Sequence, residues 1–89
     1  MIKHPELISF ILRAKNRKRI LSLLEKEYKL PAQLMKETGM YKSHVSRTLK
    51  ELKDKRLIAC KNPDDHTFRF YTLTKKGKVI LKEVKEELV

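Results

Sequence analysis

Residues 34–57 read LMKETGMYKSHVSRTLKELKDKRL, and the reading of this stretch decides the fold. Pro31 suits a first helical position, where its missing N–H costs nothing. Gly39 stands where that helix should end, because a C-terminal cap favours a left-handed residue and glycine bears no Cβ penalty there. The spacing predicts a helix over Pro31 to Thr38 and a turn through Met40, Tyr41 and Lys42. A second helix, capped by Ser43, then runs to about Arg56. At about 100° per residue, Val45, Leu49 and Leu52 share one stripe, which is the expected buried face. The opposite face holds Ser43, Arg47 and Lys50, with Ser46 at its edge.

Working outward, Leu57 to Lys61 is a short β-prone run, and Asn62-Pro63-Asp64-Asp65 carries turn chemistry. Phe68 to Leu73 alternates: Phe68, Phe70 and Thr72 fall on one side, Arg69, Tyr71 and Leu73 on the other. The two runs predict a β-hairpin with a loop of about five or six residues. Thr74 caps a last helix over 75–89, with Ile80, Leu81, Val84 and Leu88 on one stripe. Upstream, Pro5 opens a short apolar helix containing Leu7, Ile8, Phe10, Ile11 and Leu12. Ile20, Leu23, Leu24 and Tyr28 mark an amphipathic helix from about 15 to 28, with Asn16 the expected break before it. Two helices joined by a Gly-containing turn, the second followed by a hairpin, form the layout of a winged helix-turn-helix. The expected class is therefore α+β, mostly α: a three-helix core, a β-hairpin wing and a C-terminal helix. Residues 1–89 form one domain, with the helix-turn-helix at about 31–56, the wing at about 57–73 and the last helix at about 75–89.

Composition bounds the function. The chain has 89 residues, 22 Lys and Arg against 11 Asp and Glu, and a formal net charge of +11. The longest apolar run, Leu7 to Leu12, is far short of the roughly 18 residues of a membrane span. No signal peptide opens the chain. Cys60 is the only cysteine, which excludes a disulfide framework and a Cys-rich zinc site. The expectation is a reduced, cytoplasmic, basic domain; abundant Lys, Glu and Arg also give it a thermophilic composition. The excess charge lies in the first two thirds, with its densest run at Arg13, Lys15, Arg17, Lys18 and Arg19. Such a field attracts polyanions, nucleic acid above all, although a solvated helix face has the same composition.

The helix after the turn supplies the chemistry. A helix fits the major groove of DNA and its N-terminal half enters deepest. Arg47 there can pair bidentately with guanine, and Ser43 and Ser46 can bond a base edge or a phosphate. Lys42 and His44 flank them, and Lys50 lies farther along, where phosphates are near. On the hairpin, Lys61, His66 and Arg69 flank Asp64 and Asp65, whose charges repel phosphate, so the wing is expected to touch the backbone with its sides or contribute little. Metal ligation would need convergent spacing, and only Cys60 with Asp64, Asp65 and His66 comes near it; no metal and no cofactor are expected. There is no Gly-rich phosphate loop, nucleophile elbow or pocketed carboxylate pair, so no catalysis is expected. Nothing marks an effector pocket.

The segment 34–57, followed by FYTLTKKGK at 70–78, closely resembles the winged helix-turn-helix regulators of the MarR and ArsR type, especially short archaeal ones. Those families show a Leu-rich helix, a Gly turn, V-S-R-x-L-K-E-L-x-x-x-x-L, a hairpin, and Y-x-L-T-x-x-G. Arg19 to Leu24 resembles the R-x-x-I-L-x-x-L of their first core helix, with the Arg spacing shifted. The likeness covers about residues 15–80. It implies that Ser43, Ser46, Arg47 and Lys50 belong to a recognition helix and Lys61 to Arg69 to the wing. It also implies a DNA-binding transcriptional regulator, acting as a repressor. One departure is Met35, where a small residue is usual four before the turn Gly.

The chain ends suggest a partner. Leu7, Ile8, Phe10 and Ile11, with Ile80, Leu81, Val84 and Leu88, hold more apolar surface than a three-helix core should absorb. A chain this short buries only roughly 60–65% of its unfolded surface, so a second subunit would help it. The expectation is a homodimer with recognition helices about 34–36 Å apart, reading a pseudo-palindrome. Two other uses fit the same fold: a winged helix that contacts protein, and an architectural protein that coats DNA without sequence preference.

Overall fold

The structure is a computed structural model, and it describes residues 3–87. The elements run α1 (Pro5–Leu12), α2 (Lys15–Lys26), α3 (Pro31–Thr38), α4 (Lys42–Asp54), β1 (Ile58–Cys60), β2 (Tyr71–Leu73) and α5 (Lys75–Glu87). α2, α3 and α4 pack together as the trihelical core, and α1 and α5 close it from the other side of α2. Ile11, Ile20, Leu21, Leu34, Val45, Leu52, Leu57, Ile80, Leu81 and Val84 are fully buried in one cluster. The amphipathic stripes thus converge on a single interior, which supplies most of the driving force for the fold.

Several boundaries differ from the sequence expectation. The break between the first two helices falls at Arg13–Ala14, not Asn16, with Ala14 extended at φ −140° and ψ 104°. Ala14 has no local reason to leave the helix; the break lets α1 fold back against α2. α2 stops at Lys26, and Tyr28 lies beyond it, half-exposed, rather than on the buried stripe. The residue that caps α4 is Tyr41, extended at φ −71° and ψ 156°, and Ser43 is already inside the helix. Tyr41 makes no side-chain cap bond. α4 ends at Asp54, two residues early, in a Schellman motif: Leu57 N–H donates to Leu52 O at 3.0 Å and Arg56 N–H to Lys53 O at 2.9 Å. Arg56 takes the left-handed position usually given to Gly, at φ 61°. Buried Leu57 packs beside buried Leu52 and fixes the exit from the helix. Gly39 and Thr74 behave as read. Gly39 is left-handed at φ 75°, and the Thr74 hydroxyl accepts from Gly77 N–H at 3.0 Å.

The hairpin is shorter and its connection longer than expected. β1 and β2 pair antiparallel, Ile58 with Leu73, Ala59 with Thr72 and Cys60 with Tyr71. Residues 61–70 connect them; Lys61 N–H donates to Phe70 O at 2.7 Å, and beyond that bond side-chain acceptors order the loop. Asn62 Oδ1 accepts from Phe70 N–H at 2.8 Å, and the Asp65 carboxylate accepts from Thr67 and Phe68 N–H at 2.7 and 2.8 Å. A third segment joins the sheet on the other edge of β2. Lys29 N–H donates to Tyr71 O at 3.0 Å and Tyr71 N–H to Lys29 O at 2.8 Å.

The two ends of the chain pack on their own domain. Ile8 and Ile11 of α1 and Ile80, Leu81 and Val84 of α5 are all buried among themselves and α2. The surplus apolar surface inferred for a partner is consumed by the chain itself, so these five are core residues. Leu7 and Phe10 pack partly against the same cluster. Leu88 lies outside the described residues.

Candidate nucleic-acid interface

α4 presents two chemically distinct faces. Val45, Leu49 and Leu52 are buried, as their spacing predicts, together with Thr48, whose hydroxyl donates back to His44 O at 2.9 Å. Lys42, Ser43, Ser46, Arg47 and Lys50 are exposed on the outer face, and His44 is half-buried. None of these six side chains has a hydrogen-bond or ion-pair partner among the described residues.

Other cations of the same chain are engaged. Arg17 Nη1 donates to Phe10 O at 2.7 Å, which satisfies a carbonyl in the last turn of α1, and Nη2 pairs with Glu51 at 3.0 Å. The guanidinium also lies 3.9 Å over the Phe10 ring. Arg19 reaches Thr38 O and Glu37 O at 3.2 and 3.1 Å, closing the C-terminus of α3. A cation suits a helix C-terminus because the carbonyls there are unpaired and the dipole is negative. Buried Lys29 holds Glu37 at 2.9 Å and Glu27 at 3.2 Å, and the bond to Glu37 raises its pKa above the ordinary value. Two members of the dense basic run are thus structural. The sequence offered no way to sort them from the rest, because the carbonyls they serve lie on other elements.

The outer face of α4 is flanked by two hollows. Ser46, Lys50 and Lys53 line one of them with Pro31, Leu49 and Tyr71, between the start of α3 and the base of the hairpin. His44 and Arg47 line the other with Arg13, Lys15, Arg17 and Glu51, against the start of α2. Sequence reasoning missed Arg13, Lys15 and Lys53 as neighbours of this face. The signal was the charge run itself, which the fold brings beside Arg47.

The wing residues are placed differently. Lys61 sits 3.5 Å over the Tyr28 ring. Arg69 Nε donates to Asp65 O at 3.0 Å, and its Nη2 lies 3.3 Å from His66 Nδ1. Asp65 is held below the usual carboxylate range by the N–H groups of Phe68 and Thr67, and so stays charged at the tip. Lys61, His66 and Arg69 thus each have a neighbour within the chain, unlike the α4 row. The exposed apolar side chain of the wing is Phe68.

Comparison with known proteins agrees with this architecture. Over 67 residues the chain is 36% identical to the HTH-type transcriptional regulator TcaR of Staphylococcus aureus, covering 72% of this chain and 44% of TcaR. The transcriptional regulator Tm0710 of Thermotoga maritima superposes with a TM-score of 0.75 at 25% identity, over 89% of this chain and 60% of that one. Lactococcus lactis ZitR, solved in complex with DNA, superposes with a TM-score of 0.71 at 24% identity, over 80% of this chain and 49% of ZitR. That likeness carries the fold. The chain spans about half the length of the curated relatives it matches. The family model described as the HVO_A0261 N-terminal domain matches residues 5–88. With the winged helix-turn-helix fold of the MarR-type regulators, the chain belongs to the HVO_A0261 N-terminal domain family.

Proposed function

We propose that this chain binds duplex DNA sequence-specifically, with α4 in the major groove, as the DNA-reading part of a transcriptional regulator. One observation carries the reading: the outward row of Lys42, Ser43, Ser46, Arg47 and Lys50 is exposed and unpartnered, on a helix whose other face is locked in the core. A rigid helix with free donors is what base-edge recognition needs. The similarity to TcaR, a transcriptional regulator, supports the same role, and ZitR is solved in complex with DNA. Repression follows as the simplest mechanism, since a protein seated in the groove excludes other proteins from it. The role is binding, not catalysis, and its place is the cytoplasm. We also propose a two-fold dimer in which each copy reads a half-site, as one binding unit per chain. On α1 and α5 the apolar side chains that reach the surface are the half-exposed Leu12 and Val79 and the partly buried Leu7 and Phe10.

Arg47→Ala tests the reading. On the preferred duplex the loss should be about 1–3 kcal/mol, with relaxed preference at one base pair, if Arg47 reads guanine. Equal weakening on every sequence would make Arg47 a phosphate contact. Unchanged binding would remove α4 from the interface.

A further inference from the structure

The hollow between the start of α2 and α4 has an electrostatic imbalance that the fold does not resolve. Arg13, Lys15 and Arg17 line it from the start of α2, and His44, Arg47 and Glu51 from α4. Arg17 and Glu51 neutralise each other at 3.0 Å. Arg13, Lys15 and Arg47 have no ion-pair partner among the described residues, and all three are exposed. Exposed cations without a partner also stand elsewhere, Lys75, Lys76, Lys78 and Lys82 of α5 among them; what sets this hollow apart is that three of them line one concavity. Three free cations gathered on one hollow repel one another, and an anion relieves that cost.

Resting on the proposed α4 reading, we infer that this hollow seats the DNA sugar–phosphate backbone beside the major groove, with Arg13 and Lys15 as phosphate contacts. Arg47 belongs to both surfaces: it stands on the outward row of α4 and on the rim of the hollow. A strand whose base edges face α4 carries its phosphates past the rim, where α1 gives way to α2. Arg13 lies at the C-terminal cap of α1 and Lys15 begins α2, so the Ala14 break sets both at this rim. These contacts fix register and affinity and carry no sequence information.

The experiment measures binding of the full chain to its selected duplex and to a random-sequence duplex across a salt series. It compares the wild type, the Arg13→Ala/Lys15→Ala double variant, and a Lys78→Ala/Lys82→Ala control on α5. Each phosphate neutralised adds about 0.9 to the log–log salt slope. The Arg13/Lys15 variant should lower the slope by about 1.8 on both duplexes while recovering the same preferred sequence; the control, which removes the same charge, should leave it nearly unchanged. Thermal melting checks that each variant folds. An unchanged slope in the Arg13/Lys15 variant, with wild-type binding intact, overturns the backbone seat and leaves the α4 reading standing. Equal slope loss in the control also overturns it, since net charge then explains the effect. No duplex binding by the wild type removes both.

Discussion

Single residues hold this fold at points where one atom decides. Gly77 is buried in the first turn of α5, and a Cβ there would run into the carbonyl oxygen of Leu57. That carbonyl cannot retreat, because it accepts from Thr74 N–H at 3.1 Å. Replacing Gly by Ala within a helix normally gains up to about 1 kcal/mol. Here overpacking against fixed backbone costs about 1–3 kcal/mol. Gly77→Ala should therefore destabilise the chain, read as a lower urea midpoint with an unchanged slope. A higher midpoint would mean that the wing and α5 are not clamped as described. The Gly of the Y-x-L-T-x-x-G pattern is visible in the sequence. Its reason is not, because Leu57 approaches from twenty positions earlier in the chain.

Helices were legible and their ends less so. The stripe of Val45, Leu49 and Leu52 and the left-handed Gly39 follow from periodicity and backbone sterics alone. The Ala14 break, the Tyr41 cap and the left-handed Arg56 do not, since all three are imposed by packing between elements. The hairpin shows the same limit: side-chain acceptors of Asn62 and Asp65 replace ladder bonds, and alternation in the sequence reads as strand where the backbone is loop. The free row on α4 was readable because it needs only one helix. The hollow beside it was not, because it needs α2 placed against α4.

The docking of elements makes the stability depend on pH. Glu83 of α5 accepts from Lys3 N–H at 2.7 Å and from His4 Nδ1 at 2.8 Å, tying the segment before α1 to the last helix. The Lys3 bond, then that of His4, holds the Glu83 carboxyl below its ordinary value of 4.5. A depressed folded pKa contributes stability that is present above the ordinary value and lost as pH falls through the folded one. Asp65 acts in the same direction from an ordinary value of 3.8. Lys29 is raised from 10.5, so its contribution is present below that value and lost as pH rises past the folded one. Stability should form a plateau between about pH 5 and 10 and fall on both sides. Glu83→Gln should lower the melting temperature at pH 7 and flatten the acid limb below about pH 4.5. An acid limb identical to wild type would contradict the tie between the chain ends.

At the scale of the whole molecule, the net charge of +11 is partitioned by the fold. Arg17, Arg19 and Lys29 are used inside it and Lys61 and Arg69 brace the wing, while free cations stand on α4, at the start of α2 and along α5. Composition alone could not make that division. The central claim is that this surface reads a DNA sequence, and selection from a pool of randomised duplexes tests it most directly. The selection belongs at about physiological salt, where a Debye length of roughly 8 Å suppresses loose charge attraction. The account predicts recovery of a defined motif with two-fold symmetry. Recovery of duplexes without a motif would leave a charge-driven DNA coat and contradict the reading of α4, and no recovery at all would turn this surface toward an acidic protein partner.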